Sequence, residues 1–127
     1  MKKIVFTLLA LISFTILHAQ KHDWKEMKDF HAVISKTFHP SEEGNLKPTR
    51  DSAALLAKRA YSWLLSKVPK PYNESLAKHF LKKLVTQCNG LQAAVSKNKS
   101  DEVLKKLIAE VHATFHEMVE KCMKEKG

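Results

Sequence analysis

The chain has 127 residues, with 22 Lys and Arg against 13 Asp and Glu and a formal net charge of +9. This length allows one domain and excludes two. The basic side chains are spread over several predicted helix faces and do not form a stripe with aromatic residues, which excludes a nucleic-acid partner. The positive charge instead predicts a solvated surface with affinity for acidic proteins or for anionic headgroups at a membrane periphery.

The first 19 residues have the pattern of a secretory signal peptide. Two lysines follow the initiating Met, residues 4–17 are almost uncharged and apolar, and Ala19 provides a small side chain at the expected cleavage site. The apolar run is shorter than the ~20 residues that a membrane span needs. We therefore predict a periplasmic or secreted protein in which residues 1–19 are removed and residues 20–127 form one domain.

Four amphipathic helices are predicted in the mature chain, without a convincing strand pattern. The first begins after an N-cap at Asp23 and ends by His39, because the residue before a proline disfavours the helical conformation. Its predicted apolar side chains, at 3-4-3-4 spacing, are Trp24, Met27, His31, Ile34 and Phe38. The second helix begins after Thr49 and continues to about Lys67, where the segment 68–71, with two prolines, ends it.

The third predicted helix begins after an N-cap at Asn73 and continues through Gly90, since the heptad of apolar residues is unbroken there. The fourth begins after Ser100, whose hydroxyl is a favourable cap. The inward side chains of these two helices are predicted to be Ala77, Leu81, Leu84, Cys88, Leu91 and Val95, then Leu104, Ile108, Val111, Phe115, Met118 and Cys122. Four such helices with short or medium loops predict an all-α fold, an up-down-up-down four-helix bundle.

Three Phe-His dipeptides direct attention to the histidines of the first and last predicted helices. When these two helices pack antiparallel, His31 lies level with His116, and His112 lies one turn away. These three imidazoles are therefore predicted to share one layer. His39 is predicted to lie about 12 Å above that layer, at 1.5 Å per residue. The weaker candidate ligands are His39, Glu42, Glu43 and Cys122.

Histidines in this pattern are typical of metal sites. Neutral imidazole binds Zn, Cu and Ni, and a pair at i and i+4 presents both rings to one side of a helix. The sequence therefore predicts a Zn or Cu site formed by His31, His112 and His116. Ordinary flanking or hydrogen-bonded core histidines are the alternative. No enzyme is predicted, because the Glu that a zinc-protease helix requires after its first His is absent at Ala113.

The two cysteines are predicted to be buried free thiols. Cys88 and Cys122 lie at heights along the bundle that differ by far more than the ~7 Å Cα separation a disulfide allows. A Cys-x-x-Cys-His segment is absent, which excludes ordinary covalent c-type haem attachment.

Met27 early in the first predicted helix, and Ala113-Thr-Phe-His116-Glu late in the last, resemble the small exported four-helix-bundle cytochromes of b type (cytochrome b/c′-like bundles). The mature length of about 108 residues is similar as well. In that family a Met on the first helix and a His on the last hold a non-covalent haem for electron transfer. The resemblance implies Met27 and His116 as axial ligands of haem b, and an electron-transfer partner. This function and a cofactor-free interaction bundle are the alternatives to the metal site.

Overall fold

The computed structural model describes residues 24–123, which form four helices. They are α1 (Lys25–Glu42), α2 (Lys47–Leu65), α3 (Glu74–Ser96) and α4 (Asp101–Lys121). The only β pairing in this range is an isolated antiparallel bridge between Tyr72 and Met123. The predicted signal peptide and the predicted cap at Asp23 lie outside the described residues. None of the four helices is long and apolar enough to cross a membrane.

The helices form a bundle in which each packs against the next and α1 also packs against α4. The α1–α4 pair is antiparallel: Phe30 lies 5.7 Å from Phe115 between ring centroids, while Phe38, two turns further along α1, contacts His112. The loops between consecutive helices are short, so consecutive helices are also antiparallel. The predicted all-α four-helix fold is confirmed.

The core follows the apolar spacing of α3 and α4 closely. Buried side chains of these helices include Ala77, Leu81, Leu84, Cys88, Leu91, Leu104, Ile108, Val111, Phe115, Met118 and Cys122. Val95 is partly buried. Both predicted caps are confirmed, because the side chains of Asn73 and Ser100 accept hydrogen bonds from the N–H groups of Leu76 and Val103. These two helices therefore fold as their local sequence dictates.

An aromatic cluster fills one end of the bundle. Its members are Trp24, Phe30, Trp63, Tyr72 and Phe115, with neighbouring ring centroids 4.9–5.8 Å apart. The Trp24 indole also donates a 3.0 Å hydrogen bond to the hydroxyl of Ser66. Because Phe115 precedes His116 on α4, this rigid cluster fixes the helix that carries the candidate site.

The buried face of α1 differs from the predicted one. Phe30 is 0 % exposed, whereas His31 is exposed and Phe38 is only partly buried. The buried residues of this helix are Met27, Phe30, Ile34, Thr37 and Ser41, with Trp24 just before it. Burying a phenyl ring is favourable, while a buried imidazole needs partners for its nitrogens. The helix is therefore rotated to place Phe30 against Trp63 and Phe115.

Two helix boundaries also depart from the predictions. Pro40 lies inside α1, which continues to Glu42 instead of ending by His39. A proline in the last turn costs the helix one donor, and the N–H groups of Glu43 and Asn45 bond back to the Pro40 carbonyl, so the helix closes in an ordered turn. At the start of α2, Pro48 occupies the first turn, a position that proline tolerates well.

As a result, α2 spans Lys47–Leu65, so it begins three residues and ends two residues earlier than predicted. Thr49 is inside the helix and is not its cap. It is fully buried, and its hydroxyl donates to the carbonyl oxygen of Thr37 at 3.4 Å. This contact joins the C-terminal part of α1 to the first turn of α2.

Candidate metal centre

Four histidines gather along the outer edge of the interface between α1 and α4. We call His31, His39, His112 and His116 the histidine cluster. The Nε2 atoms of His112 and His116 are 3.0 Å apart, and their ring centroids are 4.4 Å apart. The ring of His39 lies 6.2 Å from that of His112, and the ring of His31 lies 5.4 Å from that of Phe115.

Phe38 holds the ring of His112. The two rings are stacked across the helix interface, with centroids 3.7 Å apart and planes inclined by 6°. His112 is partly buried beneath this contact, while His116 is exposed. A stacked ring has few rotamers available, so the Nε2 atom of His112 is held on the side that faces His116.

The surroundings of His112 favour its neutral form. Burial lowers the pKa of this imidazole, and electrostatic interaction with His116, His39 and His31 lowers it further. The carboxylate of Glu42 acts in the opposite direction. The neutral form of an imidazole is the form that binds metal ions.

The structure places His39 beside His112, whereas the sequence predicted a separate position with the Glu42 and Glu43 loop. Residue 39 lies about 6 Å from the level of residue 112 along the bundle, at 1.5 Å per residue. Helical side chains lean toward the N-terminus of their own helix, so in an antiparallel pair His39 and His112 lean toward each other. That lean removes much of the separation.

Glu42 also belongs to this region. Because α1 continues through Pro40, Glu42 is helical and lies one turn after His39, with its Oε1 atom 3.5 Å from the Nδ1 atom of His39. Glu43 is exposed at the C-cap of α1, and Cys122 is buried in the core. Among the described contacts, neither of these two joins the histidine cluster.

A cavity of about 360 Å³ opens between His31 and His116. Its wall is mostly apolar and is formed by Met27, Lys28, His31, Ala32, Phe115, His116 and Val119. His31 and His116, which were predicted to lie at one level, therefore both border this cavity. The volume is at the lower end of the range of about 300–1,000 Å³ for small-molecule pockets.

Met27 and His116, the axial haem ligands that the cytochrome resemblance implies, both line this cavity. The sulfur of Met27 accepts a contact of 3.9 Å from the Tyr72 hydroxyl and its side chain is buried, while the Nε2 of His116 lies against that of His112. The axial Met-His haem site therefore stays a prediction.

The His112–His116 pair has the geometry of a chelate. With metal–nitrogen bonds of ~2.0–2.1 Å, two nitrogens 3.0 Å apart enclose an angle of about 95° at the metal. That angle suits adjacent positions of a tetragonal ion such as Cu²⁺ or Ni²⁺ and is narrower than the tetrahedral angle that structural Zn²⁺ prefers. Without metal, the same distance suits one N–H···N hydrogen bond, whose proton an ion would displace.

Across residues 24–123, no group of three or more His, Cys, Asp and Glu side chains is already arranged to hold a metal ion. The pair on α4 is thus a candidate of two residues. The chain matches no protein-family model, and no curated protein or solved structure is significantly similar to it. The resemblance to b-type cytochromes therefore stays a prediction.

Sequence reasoning missed the part that Phe38 plays. It was expected in the core, yet it forms the platform for His112. The register that makes His31 level with His116 also places residue 38 less than one turn from the level of His112. The aromatic ring of Phe38 near the level of His112 was therefore the sequence feature that could have indicated this stacking.

Proposed function

We propose that this protein binds a transition-metal ion on the outer edge of the α1–α4 interface, with His112 and His116 as its first two ligands. The observation that carries the proposal is the 3.0 Å distance between their Nε2 atoms, one turn apart on α4. Both residues sit in the middle of a long helix that the core holds in place, so little conformational freedom is lost when a metal binds.

Cu²⁺ is the ion that this pair favours. The narrow angle between the two nitrogens matches adjacent positions of a tetragonal site. Cu²⁺ also binds nitrogen ligands more tightly than the other divalent ions of the first transition series. Zn²⁺ is expected to bind the same pair more weakly, because it follows Cu²⁺ in the order of affinity for nitrogen ligands.

The proposal includes an exported location, since the first 19 residues have the pattern of a signal peptide. A small helical bundle with a solvent-open site in the periplasm or outside the cell would store, buffer or sense metal. Its basic surface would serve contact with an acidic partner protein or an anionic membrane surface. The proposed role is binding without catalysis.

Calorimetric titration of the purified chain with Cu²⁺, and separately with Zn²⁺, tests this function. The chain is made without a histidine tag. Every protein carries His22→Ala, because a chain cleaved before Gln20 would have His22 as its third residue, and an amino terminus of that form chelates Cu²⁺ by itself. We expect one Cu²⁺ per chain, and a loss of affinity of at least tenfold when both His112 and His116 are changed to Ala.

His79→Ala is the matched control. His79 is exposed on α3, where its ring contacts Phe80, away from the histidine cluster. Cu²⁺ affinity that falls equally in this variant, or that survives loss of both α4 histidines, contradicts the proposal. Haemin addition is the parallel measurement: a Soret band that shifts on binding and is lost in Met27→Ala would establish the cytochrome alternative instead.

A further inference from the structure

His39 faces the preformed pair from across the helix interface. An imidazole centroid lies about 3.2 Å from a metal bound to one of its nitrogens, so two rings on one ion have centroids between about 4.5 Å (adjacent) and about 6.4 Å (opposite). The His112–His116 separation of 4.4 Å corresponds to adjacent ligands. The His39–His112 separation of 6.2 Å also lies within this range.

His39 also has the freedom to complete such a site. Its side chain is 66 % exposed, so the ring can turn about its side-chain bonds without disturbing the core. The ring of His112, by contrast, is held by Phe38. Rotation of the His39 side chain is therefore the movement that would bring a third nitrogen toward the pair on α4.

Glu42 is placed to orient that ring. Its carboxylate oxygen lies 3.5 Å from Nδ1 of His39, which is long for a hydrogen bond but within reach of one after a small rotation. A carboxylate that accepts the Nδ1–H of a histidine fixes the tautomer and leaves Nε2 for the metal. Its negative charge also offsets part of the positive charge of the ion.

His31 has a different environment. Its ring is stacked near Phe115, with planes inclined by 23°, and it lines the far side of the apolar cavity from His116. In an antiparallel pair at equal height, His31 and His116 lean away from each other, since each leans toward the N-terminus of its own helix. The cavity between them is the result.

We infer that His39 is the third ligand of the metal site and that Glu42 is the positioning residue that orients it, while His31 stays outside the coordination sphere. This inference rests on the proposed function, because it needs a metal bound by the α4 pair. Three nitrogens and one water would complete the four equatorial positions of Cu²⁺.

Electron paramagnetic resonance of the one-to-one Cu²⁺ complex, with calorimetry, tests the inference in the His22→Ala chain. We expect His39→Ala to remove one coordinated nitrogen and to weaken Cu²⁺ binding about tenfold or more. His31→Ala is the matched control, because it removes another exposed His that follows a Phe on the same helix. It should change neither the nitrogen number nor the affinity.

Glu42→Gln should weaken Cu²⁺ binding by up to about tenfold, the lower end of the effect of removing a carboxylate that orients a ligand. It should leave three coordinated nitrogens, and Glu42→Asp should recover part of the affinity. A merely structural role for Glu42 would change the melting temperature and leave the affinity of the folded protein unchanged, which would overturn this part of the inference.

The remaining outcomes separate the inference from the proposed function. A nitrogen lost in His31→Ala and kept in His39→Ala would make His31 the third ligand. Two coordinated nitrogens in the parent chain and in every α1 variant would leave a two-histidine site. Either result overturns the inference while the α4 pair still binds metal. Absence of Cu²⁺ binding by the parent chain overturns both.

Discussion

The neighbouring residues Phe30 and His31 provide the sharpest test of how α1 packs in the bundle. Phe30 is fully buried between Trp63 and Phe115, with centroids 5.6 Å and 5.7 Å away, whereas His31 is exposed. Phe→Ala changes in cores typically cost about 3–5 kcal/mol. The flanking rings belong to the rigid aromatic cluster and cannot easily fill the space left behind. We therefore expect Phe30→Ala to cost about 4 kcal/mol, and His31→Ala less than about 1 kcal/mol.

Urea unfolding followed by far-ultraviolet circular dichroism measures both changes. Circular dichroism is preferable to fluorescence here, because Phe30 touches Trp63 and its loss would alter the emission of the folded state. With a slope of about 2 kcal/mol per molar urea, Phe30→Ala should lower the midpoint by about 2 M. EDTA is present throughout, so that metal binding makes no contribution. Equal losses for the two variants, or a loss below about 1 kcal/mol for Phe30→Ala, would refute the observed orientation of α1.

Two further predictions concern single titratable groups. Burial raises the pKa of the Cys88 thiol to about 12. This thiol should therefore not react with Ellman's reagent at pH 8 in the folded protein, and it should react at once in urea. Rapid reaction of Cys88 without urea would contradict its burial. The folded protein holds the pKa of His112 below its ordinary value of 6.5, mainly through burial, so the unfolded chain binds the proton more tightly. Stability of the metal-free protein should therefore be fully present above about pH 6.5 and fall as the pH drops through that value. Urea midpoints at pH 7.5 and pH 5.0 should differ less in His112→Gln than in the parent. Equal differences would show that His112 does not cause the loss of stability at low pH.

The parts of the fold that the sequence predicts best are α3 and α4. Each has one unbroken apolar seam and a side-chain cap, at Asn73 and Ser100, so local preference and packing agree. The first helix has two overlapping seams of helical spacing, one through His31 and one through Phe30. Local spacing cannot choose between them, because the choice depends on partners from other helices. Contacts with Trp63 and Phe115 select the Phe30 seam, which rotates the buried face by about 45° from the predicted one, at 100° per residue.

The part of the candidate site that lies on a single helix was predictable from the sequence. The i, i+4 spacing of His112 and His116 is visible in the sequence, and it survives in the structure as the 3.0 Å pair. The position of His39 was not predictable from height alone, because height along a helix locates the backbone and not the ring. The contact of His39 with Glu42 was not predictable either. It depends on the continuation of α1 past Pro40, because the helical turn places the Glu42 carboxylate 3.5 Å from His39.

Side-chain lean explains why equal height was the wrong criterion for pairing histidines across this interface. In two antiparallel helices, rings at the same height diverge, while rings separated by about one turn in the right sense converge. His31 and His116 belong to the first kind and border a cavity of about 360 Å³. His39 and His112 belong to the second kind, with centroids 6.2 Å apart. Any metal bound by the α4 pair should therefore recruit its third nitrogen from the C-terminal end of α1, near Glu42, and leave His31 beside the cavity.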